Sequence, residues 1–171
     1  MTVSCLLKSQ SCATCSAGAA GSNTLTYHVF TTDTSTYVLT SGKTLCISSN
    51  GTFKGTVINS GGTICNKGKF FPKTFTFNSG SVINNKTIKL KESLTLGSSR
   101  TLNTSAGSVL NLEGNLSVSG GTLNNDGLIN VSGALQNTSG TVVNKGIINC
   151  DSKTGTNPIS TYNTGLVNTK N

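Results

Sequence analysis

Aliphatic and polar residues alternate in short blocks that recur through the C-terminal half of the chain. The phrase glycine, two aliphatic residues and asparagine begins at Gly127, Gly146 and Gly165, at intervals of 19 residues. Successive residues of a strand face opposite sides, so the alternation predicts short strands with one buried face. A fixed period of about 20 residues, with glycine and asparagine between aliphatic residues, is typical of a solenoid. Glycine at the corners is expected to supply the positive φ that tight turns need.

Carried backwards, the repeat predicts three columns of inward-facing side chains, the third of which lies two residues after the first and runs from Ile47 to Thr169 through Cys150. The first is Leu45, Ile64, Ile88, Leu110, Ile129, Ile148 and Val167. The second is Leu39, Ile58, Val82, Leu123 and Val142, with Thr104 and Thr161 as weaker members. The intervening outward positions are Cys46, Cys65, Lys89, Asn111, Asn130, Asn149 and Asn168. These columns predict an all-β fold, a parallel β-helix (β-solenoid) of about seven turns of roughly 19–24 residues. Parallel crossovers are overwhelmingly right-handed, so a right-handed coil is expected.

Asparagine also recurs two residues before each glycine of the phrase, at Asn125, Asn144 and Asn163. Asparagine tolerates corner conformations better than most residues, and stacked amide side chains can hydrogen-bond from turn to turn. We therefore expect these three residues to form an asparagine ladder along one corner of the solenoid.

The N-terminal stretch, residues 1–23, does not follow the repeat. It contains Cys5, Cys12 and Cys15, followed by a run of glycine, alanine and serine that is typical of a flexible linker. The chain is therefore divided into an N-terminal arm, residues 1–23, and a solenoid domain, residues 24–171. Cys12 and Cys15 have CxxC spacing, but a zinc site needs a second ligand pair that the sequence lacks, so disulfide chemistry is favoured.

Six cysteines in 171 residues favour an oxidising, extracellular or cell-surface location. Cys46 and Cys65 are 19 residues apart in one outward column, and neighbouring strands bring such residues within disulfide reach. The alternatives are free surface thiols or cross-links to another molecule. Cys150 falls in an inward position and is expected to be a small buried hydrophobe. No convincing signal peptide and no transmembrane segment is apparent.

The longest step of the first column, between Ile64 and Ile88, contains a phenylalanine-rich insert. Its candidate contact residues are Lys69, Phe70, Phe71, Phe75 and Phe77. Loops that interrupt a solenoid often emerge on one face and make its contacts. The alternative is a lid folded back over the rod, because exposed aromatics would form an unusually apolar patch.

The net charge is +8, from 13 Lys+Arg and 5 Asp+Glu. A candidate basic patch that suits an acidic polysaccharide consists of Lys67, Lys69, Lys86, Lys89 and Lys91. The alternative is an ordinary solvated face. No nucleic-acid-binding motif is present, so a nucleic-acid partner is not expected.

The sequence offers little for catalysis. Glu92 and Glu113 form the single candidate acidic pair, and no base or nucleophile is fixed beside them. Neither a phosphate-binding loop nor a metal-binding motif is present, so we predict no enzyme, no metal and no cofactor. Thr44, Thr63 and Thr87 are expected to stack, and a regular threonine array can bind ice. That array is short, so ice binding and polysaccharide degradation are remote alternatives.

The ten-residue phrases that begin at Gly121 and Gly140 resemble the asparagine- and glycine-rich repeats of bacterial surface β-helix proteins, the haemagglutinin- and adhesin-like class. The likeness lies in repeat style over residues 38–168. It implies a right-handed parallel β-helix that is secreted or surface-borne, and structural or adhesive. The cysteine-containing arm and the small size depart from that class.

A solenoid without polar caps presents unpaired strand edges, and copies that join head-to-tail without closing make a filament. The chain stops just after the last repeat phrase, and the leading hypothesis is a self-assembling extracellular structural subunit. In it, the N-terminal arm and its cysteines lock neighbouring copies. The alternative is a cell-surface adhesin module that binds carbohydrate.

Overall fold

The protein is an all-β solenoid in a computed structural model that describes residues 25–161 and 165–170. Every pair of neighbouring strands in its sheets is parallel. The strands stack into about seven turns, as the repeat predicts. The described residues contain no helix capable of crossing a membrane. The predicted N-terminal arm lies outside the described residues.

The described part contains 21 strands. In chain order they are β1 (Thr26–Val29), β2 (Thr32–Asp33), β3 (Thr36–Thr40), β4 (Thr44–Ile47), β5 (Thr52–Phe53), β6 (Thr56–Asn66), β7 (Lys69–Phe70), β8 (Thr74–Asn84), β9 (Thr87–Leu90), β10 (Leu94–Gly97), β11 (Arg100–Thr104), β12 (Val109–Leu112), β13 (Leu116–Ser119), β14 (Thr122–Asn125), β15 (Leu128–Val131), β16 (Ala134–Asn137), β17 (Thr141–Asn144), β18 (Ile147–Cys150), β19 (Ser152–Thr154), β20 (Ser160–Thr161) and β21 (Leu166–Thr169).

These strands form three sheets that make up the wall of the solenoid. Sheet A has nine strands in the order β1-β4-β6-β8-β11-β14-β17-β20, with β3 paired to the first half of β6. Sheet B has eight strands in the order β2-β5-β7-β9-β12-β15-β18-β21. Sheet C has four strands, β10-β13-β16-β19, and forms a third wall only in the later turns.

The core is built from inward columns that run the length of the sheets. The sheet A column contains Leu45, Ile64, Val82, Leu102, Leu123 and Val142. The sheet B column contains Phe53, Phe70, Ile88, Leu110, Ile129 and Ile148. All twelve side chains are at most 2% exposed. Burial of each contributes about 1.5–3 kcal/mol, so the interior of the coil provides the main stabilisation.

The first predicted column is correct from Ile88 onwards, and Leu45 and Ile64 are buried and in register as predicted, but the step from Ile64 to Ile88 is wrong. Ile64 pairs with Val82 in sheet A, whereas Ile88 pairs with Phe70 in sheet B. The column that contains Ile64 therefore lies on a different wall from the one that contains Ile88. The early turns of sheet B carry phenylalanine where an aliphatic residue was expected. Their spacing also varies, because the step from Phe53 to its partner Phe70 is shorter than the step from Ile88 to its partner Leu110.

The second predicted column is wrong at its start for a related reason. Leu39 pairs with Asn59, and its neighbour Val38 pairs with Ile58, so Leu39 and Ile58 face opposite sides of sheet A. A bulge at Thr40 separates this stretch from β4, and the sequence separation between paired residues becomes shorter across it. A slip of one residue reverses every side chain in a strand, so a constant period fails there.

The phenylalanine-rich insert is part of the wall and does not project from it. Phe70 is fully buried in β7 and stacks on Phe53, with ring centroids 5.6 Å apart. Phe75 meets Phe70 edge-on at 5.3 Å, and Phe77 stacks on Phe75 at 5.4 Å. The proposed contact loop and the proposed lid are therefore both wrong for these three residues, which fill the interior of the early turns. Lys69 is exposed, and Phe71 is half-buried between β7 and β8.

Buried polar side chains line the corner between sheets A and B. Asn125 Nδ2 donates to Asn144 Oδ1 at 2.7 Å, and the expected third member, Asn163, lies outside the described residues. The column extends backwards through Thr104, whose hydroxyl donates to Asn125 Oδ1 at 2.8 Å. Asn66 and Asn84 form the same kind of pair, with Asn66 Nδ2 donating to Asn84 Oδ1 at 2.9 Å. These bonds satisfy amides that are removed from water.

The glycines of the repeat phrase are needed because successive turns approach each other closely, and not because the backbone has a positive φ. Neither Gly127 nor Gly146 has a positive φ. A Cβ at Gly146 would lie 2.0 Å from the carbonyl oxygen of Gly127, one turn below. Glycine is therefore required because successive turns touch at this corner, which corrects the expectation from turn geometry.

Candidate functional site

The outer surface of sheet A carries a cysteine face, defined here as His28, Cys46, Cys65 and Ile83. These residues are in register on neighbouring strands. They point outward, because the residues on either side of Cys46 belong to the core. Yet Cys46 is 5%, Cys65 0% and Ile83 8% exposed. The cysteine face is therefore covered, although strand alternation places it on the outside.

The predicted neighbour relationship of Cys46 and Cys65 is present in the register of β4 and β6. The sequence did not predict their burial. Among the cysteines of the described part, Cys150 is the one free thiol. The other disulfide candidates, Cys5, Cys12 and Cys15, lie outside the described residues.

Cys150 lies inside the solenoid on β18 and is 3% exposed. Its Sγ donates to the carbonyl oxygen of Asn168 at 3.7 Å. Burial is the main reason why the pKa of the Cys150 thiol is raised above its usual value. A buried, protonated thiol is a poor nucleophile, so this residue belongs to the core.

The outer face of sheet B carries an amide ladder in its later turns. Asn130 donates to Asn111 at 2.9 Å, Asn149 to Asn130 at 2.8 Å and Asn168 to Asn149 at 2.8 Å. An aliphatic column runs beside it through Val109, Leu128, Ile147 and Leu166. Ile147 and Leu166 are 42% and 49% exposed. This surface combines apolar contact area with a regular row of amides near the C-terminal end of the rod.

The candidate basic patch is spread over several positions. Lys69 and Lys89 lie on the outer face of sheet B, and Lys89 forms an ion pair with Glu113 at 2.8 Å. Lys67 and Lys86 lie at the corner between sheets A and B, where Lys86 Nζ donates to the carbonyl oxygen of Ser49 at 3.1 Å. Lys91 follows β9 at the next corner. Because Lys89 already has a carboxylate partner, Lys69 is the exposed lysine of this set best placed on the flat face.

Glu92 and Glu113 lie at the same corner of consecutive turns but are out of register with each other. Glu113 forms the ion pair with Lys89, and the Lys89 hydrogen bond and charge hold the pKa of Glu113 below its usual value. Its amide bonds to the carbonyl of Leu90, which stacks it over Lys91 and not over Glu92. Among residues 25–161 and 165–170, no group of three or more His, Cys, Asp or Glu side chains is placed to hold a metal ion.

One further carboxylate, Asp33, is held at the N-terminal end of the described solenoid. The backbone N–H of Ser35 donates to Asp33 Oδ1 at 2.8 Å, and Tyr37 Oη donates to Asp33 Oδ2 at 2.9 Å. Burial raises the pKa of Asp33, but the hydrogen bonds from Ser35 and Tyr37 together outweigh it, so the pKa is lowered. Asp33 is therefore an ionised group in the first turn, and no sequence pattern predicts this arrangement.

The expected threonine stack is wrong at its third member. Thr44 and Thr63 pair in sheet A, but Thr87 lies in sheet B, where it pairs with Lys69 and Val109. The real column of hydroxyl residues on sheet A is Thr26, Thr44, Thr63, Ser81, Thr101, Thr122 and Thr141. Ice binding was expected to need a flat, regular array of threonine residues. The single column of hydroxyl residues beside the covered cysteine face is a narrower surface than such an array.

The two ends of the described solenoid share a set of features. The strands of the first turn, β1 to β3, and of the last, β19 to β21, each pair with a described strand on one side only. Leu25 and Val38, in the first turn, are 52% and 47% exposed. Leu166, in the last turn, is 49% exposed. Among the described residues, one-sided strand pairing and exposed aliphatic side chains thus occur together at both ends.

No protein family, curated protein or solved structure matched this chain. The likeness to bacterial surface β-helix proteins therefore stays a prediction that rests on the repeat phrases.

Proposed function

We propose that this protein is a structural, extracellular subunit whose solenoids assemble head-to-tail into a filament. The observation that carries the proposal is the coincidence of one-sided strand pairing with exposed aliphatic side chains at both ends of the described part. A strand edge offers a row of N–H and C=O groups that another strand can pair with. The same parallel geometry that joins successive turns would join successive copies.

The last turn offers an edge of useful length. Strand β21 has four residues and pairs with β18 along its whole length, so its other side faces the C-terminal end of the described solenoid. Each backbone hydrogen bond formed on this edge contributes about 1 kcal/mol net. Half-buried Val167, which continues the inward column of sheet B, would become fully buried by a stacked copy. Contacts of this kind are heterologous and do not close, so they extend into a filament.

The six cysteines support an oxidising environment outside the cell. In this proposal the N-terminal arm reaches a neighbouring copy and locks the contact through one of its cysteines. Assembly should then be weakened by a reductant that leaves the solenoid itself folded.

The direct test is a charge placed in the proposed interface of the full-length chain. Val167→Asp puts a carboxylate on the inward column of the last turn, where stacking would bury it. Ser139→Asp adds the same charge at an exposed position outside the terminal turn, between β16 and β17, and serves as the matched control. Sedimentation velocity should show long polymers for the wild type and for Ser139→Asp, and short rods for Val167→Asp. Equal polymer length for Val167→Asp and the wild type would contradict the proposal.

The second candidate is a cell-surface adhesin module that binds an acidic polysaccharide. It is favoured by one observation, the exposed Lys69 on the flat outer face of sheet B. Binding to an acidic polysaccharide on a glycan array should then fall on Lys69→Ala and stay unchanged on Lys153→Ala, an exposed lysine on sheet C. Binding that is indifferent to both changes would exclude this site.

A further inference from the structure

We infer that residues 1–24 lie over the cysteine face of their own solenoid and are fastened there by two disulfides, from Cys46 and Cys65 to two of the three cysteines of that segment. This inference concerns a single copy of the chain and does not rest on filament formation. It assigns an intramolecular binding surface to sheet A, and its occupant is the N-terminal segment.

The burial of the cysteine face requires a cover on the outside of sheet A. Ile83 and Ile147 are the same residue type, and both point outward from the wall, yet Ile83 is 8% and Ile147 is 42% exposed. Cys65, beside Ile83 in the same column, is completely buried. The cysteine face has two cysteines and an isoleucine, a composition that suits an apolar contact.

The N-terminal segment is the part of the chain that can supply this cover. All 21 described strands belong to the walls of the coil, so none of them crosses the outside of sheet A. The described chain begins at Leu25, immediately before β1, and β1 pairs with β4, the strand that carries Cys46. Four neighbouring strands span roughly 15 Å, and an extended segment of this length reaches several times that distance. The C-terminal end of the segment is therefore next to the cysteine face, and the segment is long enough to cross that face.

The distribution of the cysteines matches this arrangement. Cys150 is the one free thiol of the described part, which leaves Cys46 and Cys65 on the solenoid and Cys5, Cys12 and Cys15 on the segment. A direct bond between Cys46 and Cys65 suits their register, since in-register residues on neighbouring strands lie about 5 Å apart. A direct bond would leave the face open, however, and the burial of Ile83 would have no cause. Bonds from Cys46 and Cys65 to the segment explain both why these two cysteines are not free thiols and why the cysteine face is covered.

The chemistry is ordinary thiol–disulfide exchange. Each new S–S bond removes two protons and two electrons from a pair of thiols, and these reduce one disulfide of an exogenous oxidant, such as oxidised glutathione, to two thiols. Two such bonds consume four of the five remaining cysteines. One cysteine of the segment is then left over, and an odd cysteine is the usual means of covalent linkage to another molecule.

The test is disulfide mapping of the full-length protein after trypsin digestion without reduction. Cleavage after lysine separates the relevant cysteines, because Cys5 falls in residues 1–8, Cys12 and Cys15 in 9–43, Cys46 in 44–54 and Cys65 in 55–67. We expect peptides 44–54 and 55–67 each to be linked to 1–8 or 9–43, and both to be released by reductant. A species that joins 44–54 directly to 55–67, or an alkylated free thiol in either peptide, would overturn the inference.

A mixed-isotope experiment separates linkage within one chain from linkage between chains. Unlabelled and ¹⁵N-labelled chains are reduced, mixed under denaturing conditions and refolded together with glutathione buffer before mapping. Links from Cys46 and Cys65 should join peptides of the same label only, whereas hybrid pairs at these positions would show that a neighbour's segment covers the face. Cys150→Ser should leave the map unchanged, because the Cys150 thiol is buried inside the coil.

Discussion

The side chain of Asn125 donates from Nδ2 to Oδ1 of Asn144, one turn further along the solenoid, at 2.7 Å. Asn125 Oδ1 accepts from the backbone N–H of Gly127 at 3.1 Å. One buried amide thus fixes the shape of its own corner and the stacking of the next turn. This dual role explains why asparagine recurs with the period of the repeat.

The first prediction concerns this corner. Asn125→Ala removes the partner of the Thr104 hydroxyl and of the Gly127 N–H at a fully buried position. Leaving such groups unpaired costs about 1–3 kcal/mol each, so we expect the free energy of unfolding in urea to fall by roughly 2–4 kcal/mol. Asn149→Ala, in the half-exposed outer ladder, is the matched control and should lose less than about 1 kcal/mol. Equal losses would mean that the buried ladder has no special role.

The second prediction concerns the phenylalanine residues of the early turns. Phe70→Ala empties a fully buried site between Phe53 and Phe75, and such truncations cost about 3–5 kcal/mol. Phe71→Ala changes the neighbouring, half-buried residue and should cost clearly less. Chemical denaturation of the two variants distinguishes them. A small loss for Phe70→Ala, no greater than that for Phe71→Ala, would support a projecting contact loop and contradict the burial of Phe70.

The third prediction tests the reason for glycine in the repeat. Gly146→Ala places a Cβ 2.0 Å from the carbonyl oxygen of Gly127, and this backbone oxygen cannot move without separating two turns. We expect a large drop in thermal midpoint or a failure to fold, read from circular dichroism. Gly97→Ala is the control, because its Cβ would make contacts of 3.6 Å or more. Tolerance of alanine at Gly146 would contradict the close stacking of the corners.

The fourth prediction concerns pH. The lowered pKa of Asp33 means that its carboxylate adds stability above the pKa of the unfolded chain, near 3.8, and that this stability is lost as the pH falls through the folded value. Tyr37→Phe removes one hydrogen bond to the carboxylate, so the pKa of Asp33 should rise. Carbon-detected NMR titration of the Asp33 carboxyl measures the shift directly. An unchanged or lower pKa in Tyr37→Phe would show that the Tyr37 hydroxyl does not stabilise the charge.

The sequence predicts the later turns well because their period is constant. Leu110, Ile129 and Ile148 recur at one constant interval and stack in register. The early turns break the period, through the bulge at Thr40 and through phenylalanine at inward positions, and a count of residues cannot detect either. The extra ladder member Asn66 did carry a signal, since it too stands two residues before a glycine, Gly68.

The surfaces are less predictable than the core. The spacing of Cys46 and Cys65 predicts that they are neighbours, and they are in register. Alternation identifies the side of the sheet on which a residue lies, but it does not show whether another segment covers that side. The alternation of hydrophobic and polar residues therefore could not predict the burial of Cys65 and Ile83.

Negative-stain electron microscopy of the purified full-length protein shows whether copies assemble end to end. We expect filaments with an axial repeat of about 34 Å, the height of seven stacked turns, and shorter filaments after treatment with reductant. Monodisperse short rods at every protein concentration, with or without reductant, would contradict end-to-end assembly.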